Sequence, residues 1–197
     1  MKTKLTVFLL TLTFLFLFSS SPVLFADDVQ DAKDAYERAD YETAYKLFLP
    51  LAEQGDAKAQ YFLGMMHSEG KGVPQDYQDA VKWYLLAAEQ GKASAQYDLG
   101  IMYKKGLGVL QDYKEAVKWS RLAVKQGHAP TQFNLGVMHY EGRGVPQDYV
   151  LAHMWFNLSG SNGSKSGVEN KHWAEKKMTK QQIEKAQEMA INWKPKK

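Results

Sequence analysis

The sequence predicts an all-α fold, an α-solenoid of antiparallel helix pairs. The main observation is an internal repeat, because Tyr41, Tyr77, Tyr113 and Tyr149 are each 36 residues apart. Between these tyrosines, apolar residues recur at three- and four-residue steps, which is helical spacing. A fixed period of this length is typical of a supersecondary unit that stacks on copies of itself. Such stacks present extended surfaces, so the repeat favours binding over catalysis.

The N-terminal residues 1–26 are predicted to be a secretory signal peptide. Lys2 and Lys4 precede an almost purely apolar run over Leu5–Phe18, and a more polar segment ends at Ala26. This order of basic, apolar and small residues is typical of a cleavable signal. An uncleaved anchor is the alternative, but the run is short for a membrane span, which needs about 20 residues. We therefore expect an exported protein of bacterial source, periplasmic or secreted, with no membrane span after cleavage near Ala26.

The composition limits the classes of partner. Loss of Lys2 and Lys4 on cleavage would reduce the net charge from +3 to +1, and the chain has no cysteine. A nearly neutral chain gives no electrostatic case for nucleic acid as a partner. An exported chain without cysteine cannot form disulfides, so its stability must come from packing alone.

The first structured unit is predicted at 27–56 as a helix pair. Its helices are expected at Asp28–Arg38 and Tyr41–Gln54, separated by a short turn, and Pro50 is expected to kink the second. Three full repeats follow at 57–92, 93–128 and 129–164.

Each full repeat is predicted to contain two helices. The first helices are expected at Ala57–Glu69, Ala93–Lys105 and Ala129–Glu141. Gly64, Gly100 and Gly136 share one position inside them, where glycine costs about 1 kcal/mol relative to alanine. We expect this cost to be offset by close approach of the partner helix at Ala80, Ala116 and Ala152.

The second helix of each repeat is marked by its ends. It is expected at Tyr77–Gln90 in the second unit, with Asp76 as N-cap in a capping-box-like arrangement with Asp79 and with Gly91 just past its end. Trp83, Trp119 and Trp155 recur at one position and are expected to anchor the core between neighbouring repeats. The linkers contain Pro74 and Pro146, and the middle linker, with Leu110 at this position, is expected to be the softest.

The C-terminal segment 165–197 is predicted to cap the stack. Ser159–Ser166 has the composition of a flexible loop. Capping boxes then predict two helices, one from Ser166 to about Lys177 and one from Thr179 to about Trp193.

The repeat resembles the Sel1-like repeat, a relative of the tetratricopeptide repeat. Residues 57–83 read Ala-x-Ala-Gln-Tyr-x-Leu-Gly-x-Met-His, then Gly-x-Gly-Val-x-Gln-Asp-Tyr, then Ala-x-x-Trp. The first unit, with Ala35–Ala44, is similar to the shorter tetratricopeptide form. The resemblance implies a right-handed solenoid that serves as a scaffold for protein–protein contacts, often in bacterial export, envelope assembly or host interaction.

If the chain forms such a superhelix, the first helices of the repeats line its concave face. An aromatic column of Tyr61, Tyr97 and Phe133 with changing polar neighbours would suit a groove that holds a peptide or a helix. The alternative is that this column packs between adjacent units. The candidate contact residues are Lys58, Tyr61, Met65, Ser68, Glu69, Ser94, Tyr97, Ile101, Lys104, Lys105, Phe133, Asn134, Val137, Tyr140 and Glu141.

No coherent catalytic, metal or cofactor site is predicted. The five histidines lack metal-binding spacing, and His67 and His139 share the position of Tyr103, which favours a packing role. Ser68-Glu-Gly-Lys71 matches the Ser-x-x-Lys of penicillin-recognising enzymes, but no Ser-Asp-Asn or Lys-Thr-Gly accompanies it. We therefore expect a non-enzymatic protein with a protein partner. The alternatives are a cell-envelope enzyme of β-lactam or cell-wall chemistry and a secreted host-interaction factor.

Overall fold

The computed structural model describes residues 22–195, which form ten α-helices and no strand. The helices are α1 (Pro22–Glu37), α2 (Tyr41–Glu53), α3 (Ala57–Glu69), α4 (Tyr77–Glu89), α5 (Ala93–Lys105), α6 (Tyr113–Lys125), α7 (Ala129–Glu141), α8 (Tyr149–Ser161), α9 (Lys165–Glu175) and α10 (Lys180–Asn192). From α1 to α9, each helix packs on its neighbours in the chain. The predicted all-α solenoid is therefore confirmed.

The N-terminal helix begins earlier than predicted. Residues 1–21 of the predicted signal peptide lie outside the described residues, whereas Pro22–Ala26 belong to α1. The expected start at Asp28 is therefore inside this helix rather than at its beginning.

The three full repeats are the pairs α3/α4, α5/α6 and α7/α8. We call α3, α5 and α7 the A helices and α4, α6 and α8 the B helices. The A helices have the predicted bounds, and each ends before a glycine in the left-handed conformation. The B helices begin after Asp76, Asp112 and Asp148, whose side chains each accept two backbone N–H groups of the first turn.

Only one of the two hydrogen bonds of the predicted capping box forms in the B helices: the N-cap aspartate accepts from the backbone of the first turn. The carboxylates of Asp79 and Glu115 do not return to the N-cap; they pair instead with Lys82 at 2.7 Å and Lys118 at 3.0 Å. A lysine one turn later in each helix offers an opposite charge, which competes with the backbone amide for the carboxylate.

The linker between A and B helices joins one repeat to the previous one. A Cβ atom added to Gly72, Gly108 or Gly144 would lie 2.5, 2.2 or 2.2 Å from the carbonyl oxygen of Tyr41, Tyr77 or Tyr113, respectively. The second glycine of each Gly-x-Gly is thus required because it touches the backbone of the preceding repeat. The linker glutamines Gln75, Gln111 and Gln147 donate to carbonyls in the last turn of the A helix at 2.8–2.9 Å.

The interior is built from positions that repeat. Leu63, Leu99 and Leu135 are fully buried, and Trp119 is 7% exposed. Trp83, Trp119 and Trp155 pack against clusters built by the preceding helices, which confirms their role as anchors between repeats.

The partner of the helix glycines differs from the prediction. A Cβ atom at Gly64 or Gly136 would lie 2.5 Å from the ring of Tyr84 or Phe156, and only Gly100 has its alanine, Ala116, among its nearest atoms. Tyr84 and Phe156 lie one turn beyond the predicted alanines. The close approach is confirmed, but in these two repeats an aromatic ring fills the space that glycine leaves.

Buried glutamines form a recurring ladder that the sequence did not predict. Gln60 and Gln96 donate at 3.0 Å to the carbonyl oxygens of Ala52 and Ala88 on the preceding helix. Gln90, Gln126 and Asn162 donate to Gln60, Gln96 and Gln132, respectively, at 2.8–3.0 Å. Each buried amide therefore finds partners, and the ladder joins each B helix to its A helix.

The C-terminal end departs from two predictions. The expected flexible loop at 159–166 is instead a tight turn, because α8 runs to Ser161 and Ser164, not Ser166, caps α9 by accepting from the amide of Gly167. Gly163, with φ of 90°, permits this turn. The capping box of Thr179 and Gln182 is present as predicted.

The last helix does not pair with α9. Both α9 and α10 pack on α8 and make almost no contact with each other. His153, fully buried on α8, contacts Glu175 of α9 at 3.1 Å, and His172 contacts the same carboxylate at 2.8 Å. Helix α10 turns back, so that Trp193 meets Trp155 at a centroid distance of 5.7 Å.

Candidate protein-interaction face

The fifteen predicted contact residues lie on α3, α5 and α7, and we call their surface the A-helix face. Glu69, Lys105 and Glu141 are exposed, Asn134 is 7% exposed, and the other eleven are partly buried. Because the repeats stack in register, equivalent residues form columns across the three helices.

The aromatic column of Tyr61, Tyr97 and Phe133 is partly covered by the following repeat. The ammonium of Lys92 lies 5.6 Å from the ring centroid of Tyr61, and the ring of His128 lies 5.1 Å from that of Tyr97. Lys92 and His128 are the N-cap residues of the next A helices. This column therefore packs between repeats while part of each ring stays accessible.

The end of the column is open. At Phe133 the equivalent of Lys92 and His128 is Ser164, a small side chain that caps α9. A surface depression of about 380 Å³ results, lined by Phe133, Ser164 and neighbouring residues of α7 and α8. Val137 and Tyr140 of the same helix pack against the cluster around Phe156.

A second column joins neighbouring A helices through polar groups. The ammonium of Lys104 donates to the amide oxygen of Asn134 at 3.1 Å, across α5 and α7. The hydroxyl of Ser68, at the position equivalent to Lys104, lies 3.2 Å from that of Tyr84 and also donates to the carbonyl of Met65. Lys104 and Asn134 are thus engaged with each other, and burial lowers the pKa of Lys104.

Asp98 places a carboxylate inside this polar column. It lies on α5 beside the hydroxyl of Tyr61 from α3, and it is partly buried. Burial raises the pKa of Asp98 to about 6, the Glu69 carboxylate adds to this effect, and the Tyr61 hydroxyl opposes it. The pKa of Tyr61 is also raised, first by burial and then by Asp98. Between α3 and α5 the face therefore has a carboxyl group whose ionised form is disfavoured by burial.

The N-terminal end of the face is held by a small charged cluster. Lys71 pairs with Glu69 at 2.7 Å and donates to the hydroxyl of Tyr36 at 3.3 Å. Its ammonium also lies 5.2 Å from the ring centroids of both Tyr36 and Tyr41. Arg143, at the equivalent position, lies 5.4 Å from the ring of Tyr113. In both linkers, the residue between the two glycines thus covers the tyrosine that begins α2 or α6 of the preceding unit.

Ser68 and Lys71 contact different groups. The hydroxyl of Ser68 is directed to Met65 and Tyr84, whereas the ammonium of Lys71 is directed to Glu69 and Tyr36. Within residues 22–195, no group of three or more His, Cys, Asp or Glu side chains could hold a metal ion. His67 packs edge-on against Tyr45 at 5.8 Å, which confirms the packing role predicted for it.

Sequence reasoning missed several residues of this face, namely Tyr36, Lys71, Tyr84, Lys92, Asp98 and His128. A signal existed for Asp98, because a carboxylate stands where the equivalent residue of the preceding repeat is the apolar Phe62. No comparable signal existed for Lys92 and His128, since they lie in turns and reach the face only through stacking.

Comparison with known proteins identifies the repeat. The Sel1 repeat model matches residues 34–56, 57–92, 93–128 and 129–164. The fold is similar to the crystal structure of a Sel1 repeat protein from Oxalobacter formigenes, with 33% sequence identity and a TM-score of 0.69. It is also similar to that of c5321, a protective antigen of uropathogenic Escherichia coli strains, with 37% identity and a TM-score of 0.65.

Both matches cover 74% of this chain, which spans 58% of the first relative and 34% of the second. No curated protein matches the sequence significantly. Within the described residues, no helix is long and apolar enough to cross a membrane. The family model covers most of the helical array, and the chain belongs to the Sel1 repeat family.

Proposed function

We propose that the protein is an exported, non-catalytic scaffold that binds another protein through its A-helix face. Sel1 repeat proteins generally mediate protein–protein interaction, and the family membership supports a protein partner. Beyond family membership, we specify the surface that binds, the chemistry of the partner and the cellular compartment of the protein.

The observation that carries the proposal is a contrast between interior and face. The buried position of Leu63 is leucine in all three repeats, and that of Met66 is methionine. In contrast, the exposed face position of Glu69 is lysine in the next repeat and glutamate in the one after. Packing requires the repeating residues, whereas the changing residues are free to determine which partner binds.

The face also indicates the chemistry of the partner. Partly accessible rings of Tyr61 and Tyr97 offer apolar and cation–π contacts. Asp98 offers a carboxylate whose ionisation is disfavoured by burial. A basic side chain from an extended or helical segment, placed between α3 and α5, would compensate this charge.

Paired affinity capture tests the face. One bait carries Tyr97→Ala, Lys105→Ala and Glu141→Ala on the A helices. The control bait carries Gln78→Ala, Lys82→Ala and Lys114→Ala, which are exposed on B helices. We expect a protein that the unchanged and control baits retain and the A-helix bait loses, with equal circular dichroism for all three. Retention of the same partner by the A-helix bait would contradict the assignment.

Export rests on the pattern of residues 1–26 and has its own test. The mass of the protein recovered from a periplasmic extract should correspond to a chain that begins at Asp27. Recovery only of a chain that begins at Met1, from the cytoplasmic fraction, would contradict export without affecting the face.

A further inference from the structure

The two ends of the array carry opposite charge. Residues 28–56 contain eight Asp and Glu against three Lys and Arg, a net charge of −5. Residues 165–195 contain seven lysines against four glutamates, a net charge of +3. Although the net charge of the whole chain is small, negative charge is concentrated at one end of the array and positive charge at the other.

The acidic end has a groove that no residue among 28–195 covers. It has a volume of about 240 Å³ and is lined by Asp28, Asp31, Leu47, Pro50, Leu51 and Gln54, with no basic residue among them. Leu47 stands at the position of Trp83, which packs on the preceding helices. Leu47 is 38% exposed, so apolar surface accompanies the two carboxylates.

A groove of opposite character, of about 360 Å³, lies where the C-terminal residues after α10 meet α6 and α8. It is lined by Arg121, Val124 and Lys125 of α6, by Trp155 of α8, and by Asn192, Trp193 and Lys194 at the C-terminal end of α10. Three cations and two indole rings line it, and no carboxylate does. Its chemistry suits an acidic segment with apolar side chains.

We propose that these grooves are the two halves of a head-to-tail contact between copies of this chain. Asp28 and Asp31 of one copy would pair with Arg121 and Lys125 of the next, while Leu47 and Pro50 would cover the tryptophans. Opposite charges near a protein surface attract each other, and salt weakens this attraction. Because the two surfaces differ, the contact is heterologous and extends into chains of copies.

This contact lies outside the A-helix face, since it uses α1, α2, α6, α8 and α10. Each copy in a chain would keep its A-helix face free for a partner. The inference is therefore independent of the proposed function, and the two tests share only their control positions, Lys82 and Lys114.

The test uses two charge-reversal variants of the purified protein in sedimentation experiments. The acid-end variant carries Asp28→Lys and Asp31→Lys, and the basic-end variant carries Arg121→Glu and Lys125→Glu. A control with Lys82→Glu and Lys114→Glu reverses two exposed lysines outside both grooves. At low salt, we expect the average mass of the unchanged and control proteins to rise with concentration beyond a dimer. Each end variant should stay monomeric.

Mixing the two end variants gives the sharpest result. The acid-end variant keeps its basic groove and the basic-end variant keeps its acidic groove, and the two reversed surfaces are also opposite in charge. An equimolar mixture should therefore associate again, into dimers and larger alternating assemblies. Raising the salt from about 50 to 500 mM should weaken the association about tenfold or more. A monomeric unchanged protein at low salt, an unchanged protein whose mass stops at the dimer, or a mixture that stays monomeric would each overturn the proposal. A monomeric unchanged protein would leave the basic groove to a different acidic partner.

Discussion

A single position of the A helix serves three different purposes in successive repeats. Phe62 stacks on Phe48 of the preceding helix at 4.6 Å, Asp98 lies beside Tyr61, and Asn134 accepts from Lys104. The helix does not require any of these side chains, since its bounds are the same in all three repeats. Residues at such positions make the three repeats differ from one another in their contacts.

Asp98→Asn is expected to stabilise the protein near neutral pH. The folded-state pKa of Asp98 is raised to about 6, so its ionisation costs stability as the pH rises from about 4 to 6. Asparagine removes this cost, and the gain should be at most about 3 kcal/mol at pH 7, from 1.36 kcal/mol for each pKa unit. Urea unfolding of both proteins at pH 7 and pH 4 measures the gain, which should vanish at pH 4. A gain that is equal at both values of pH would show that burial of the charge is not its cause.

Gly108→Ala should destabilise the protein more than Gly91→Ala. Both glycines have positive φ, at 69° and 87°, so alanine carries a strain of about 1–2 kcal/mol at each. Only at Gly108 would the new Cβ also meet a backbone carbonyl, at 2.2 Å, whereas at Gly91 nothing lies within 4 Å. Overpacking adds about 1–3 kcal/mol. Comparison of the unfolding midpoints measures the difference, and equal midpoints would contradict the role of the linker as a contact between repeats.

At this scale the sequence identifies the residues that depend on local geometry. The N-cap role of Asp76 and the helix end before Gly70 follow from propensities within a few residues, and both are observed. The partner of Gly64 depends on how far two helices are shifted along each other, and the sequence does not contain that shift explicitly. The ring of Tyr84 therefore appears where Ala80 was expected.

The helix is the scale at which sequence reasoning works best for this protein. The boundaries of the A helices are predicted correctly because the same boundary signal recurs in three repeats, and each recurrence is independent evidence. The composition of 159–166 wrongly predicts a flexible loop, because its serines and glycines are typical of loops. In the structure, Gly163 occupies the same turn position as Gly91 and Gly127, and the stacking of α9 on α8 overrides the composition.

Leu110→Pro is expected to stabilise the middle linker. Leu110 is 91% exposed and stands where the other two linkers have Pro74 and Pro146. Proline restricts the unfolded chain, which should raise the free energy of unfolding by about 0.4–1 kcal/mol. Thermal unfolding measures this, with Pro74→Ala as the opposite control, which should lower stability by a similar amount. Destabilisation by Leu110→Pro would show that the middle linker has a different backbone conformation from its neighbours.

For the whole molecule, the period predicts a stack but not how the stack ends. Contacts join each helix mainly to its neighbours, so the array can be derived one repeat at a time. Helix α10 has no counterpart in the repeats, and its return over α8 results from a long-range contact of Trp193 with Trp155. No periodic signal could have indicated this contact. The basic groove at this end is for the same reason a feature that only the structure reveals.

Crosslinking inside cells of the source shows whether the A-helix face contacts another protein. A photoreactive amino acid is placed at Lys105 or Glu141, which are exposed on A helices, and at Gln78 or Lys82, which are exposed on α4. We expect a covalent adduct with another protein from the first two positions and none from the second two. Adducts that form only from α4, or equally from both faces, would contradict the claim that the A-helix face binds the partner.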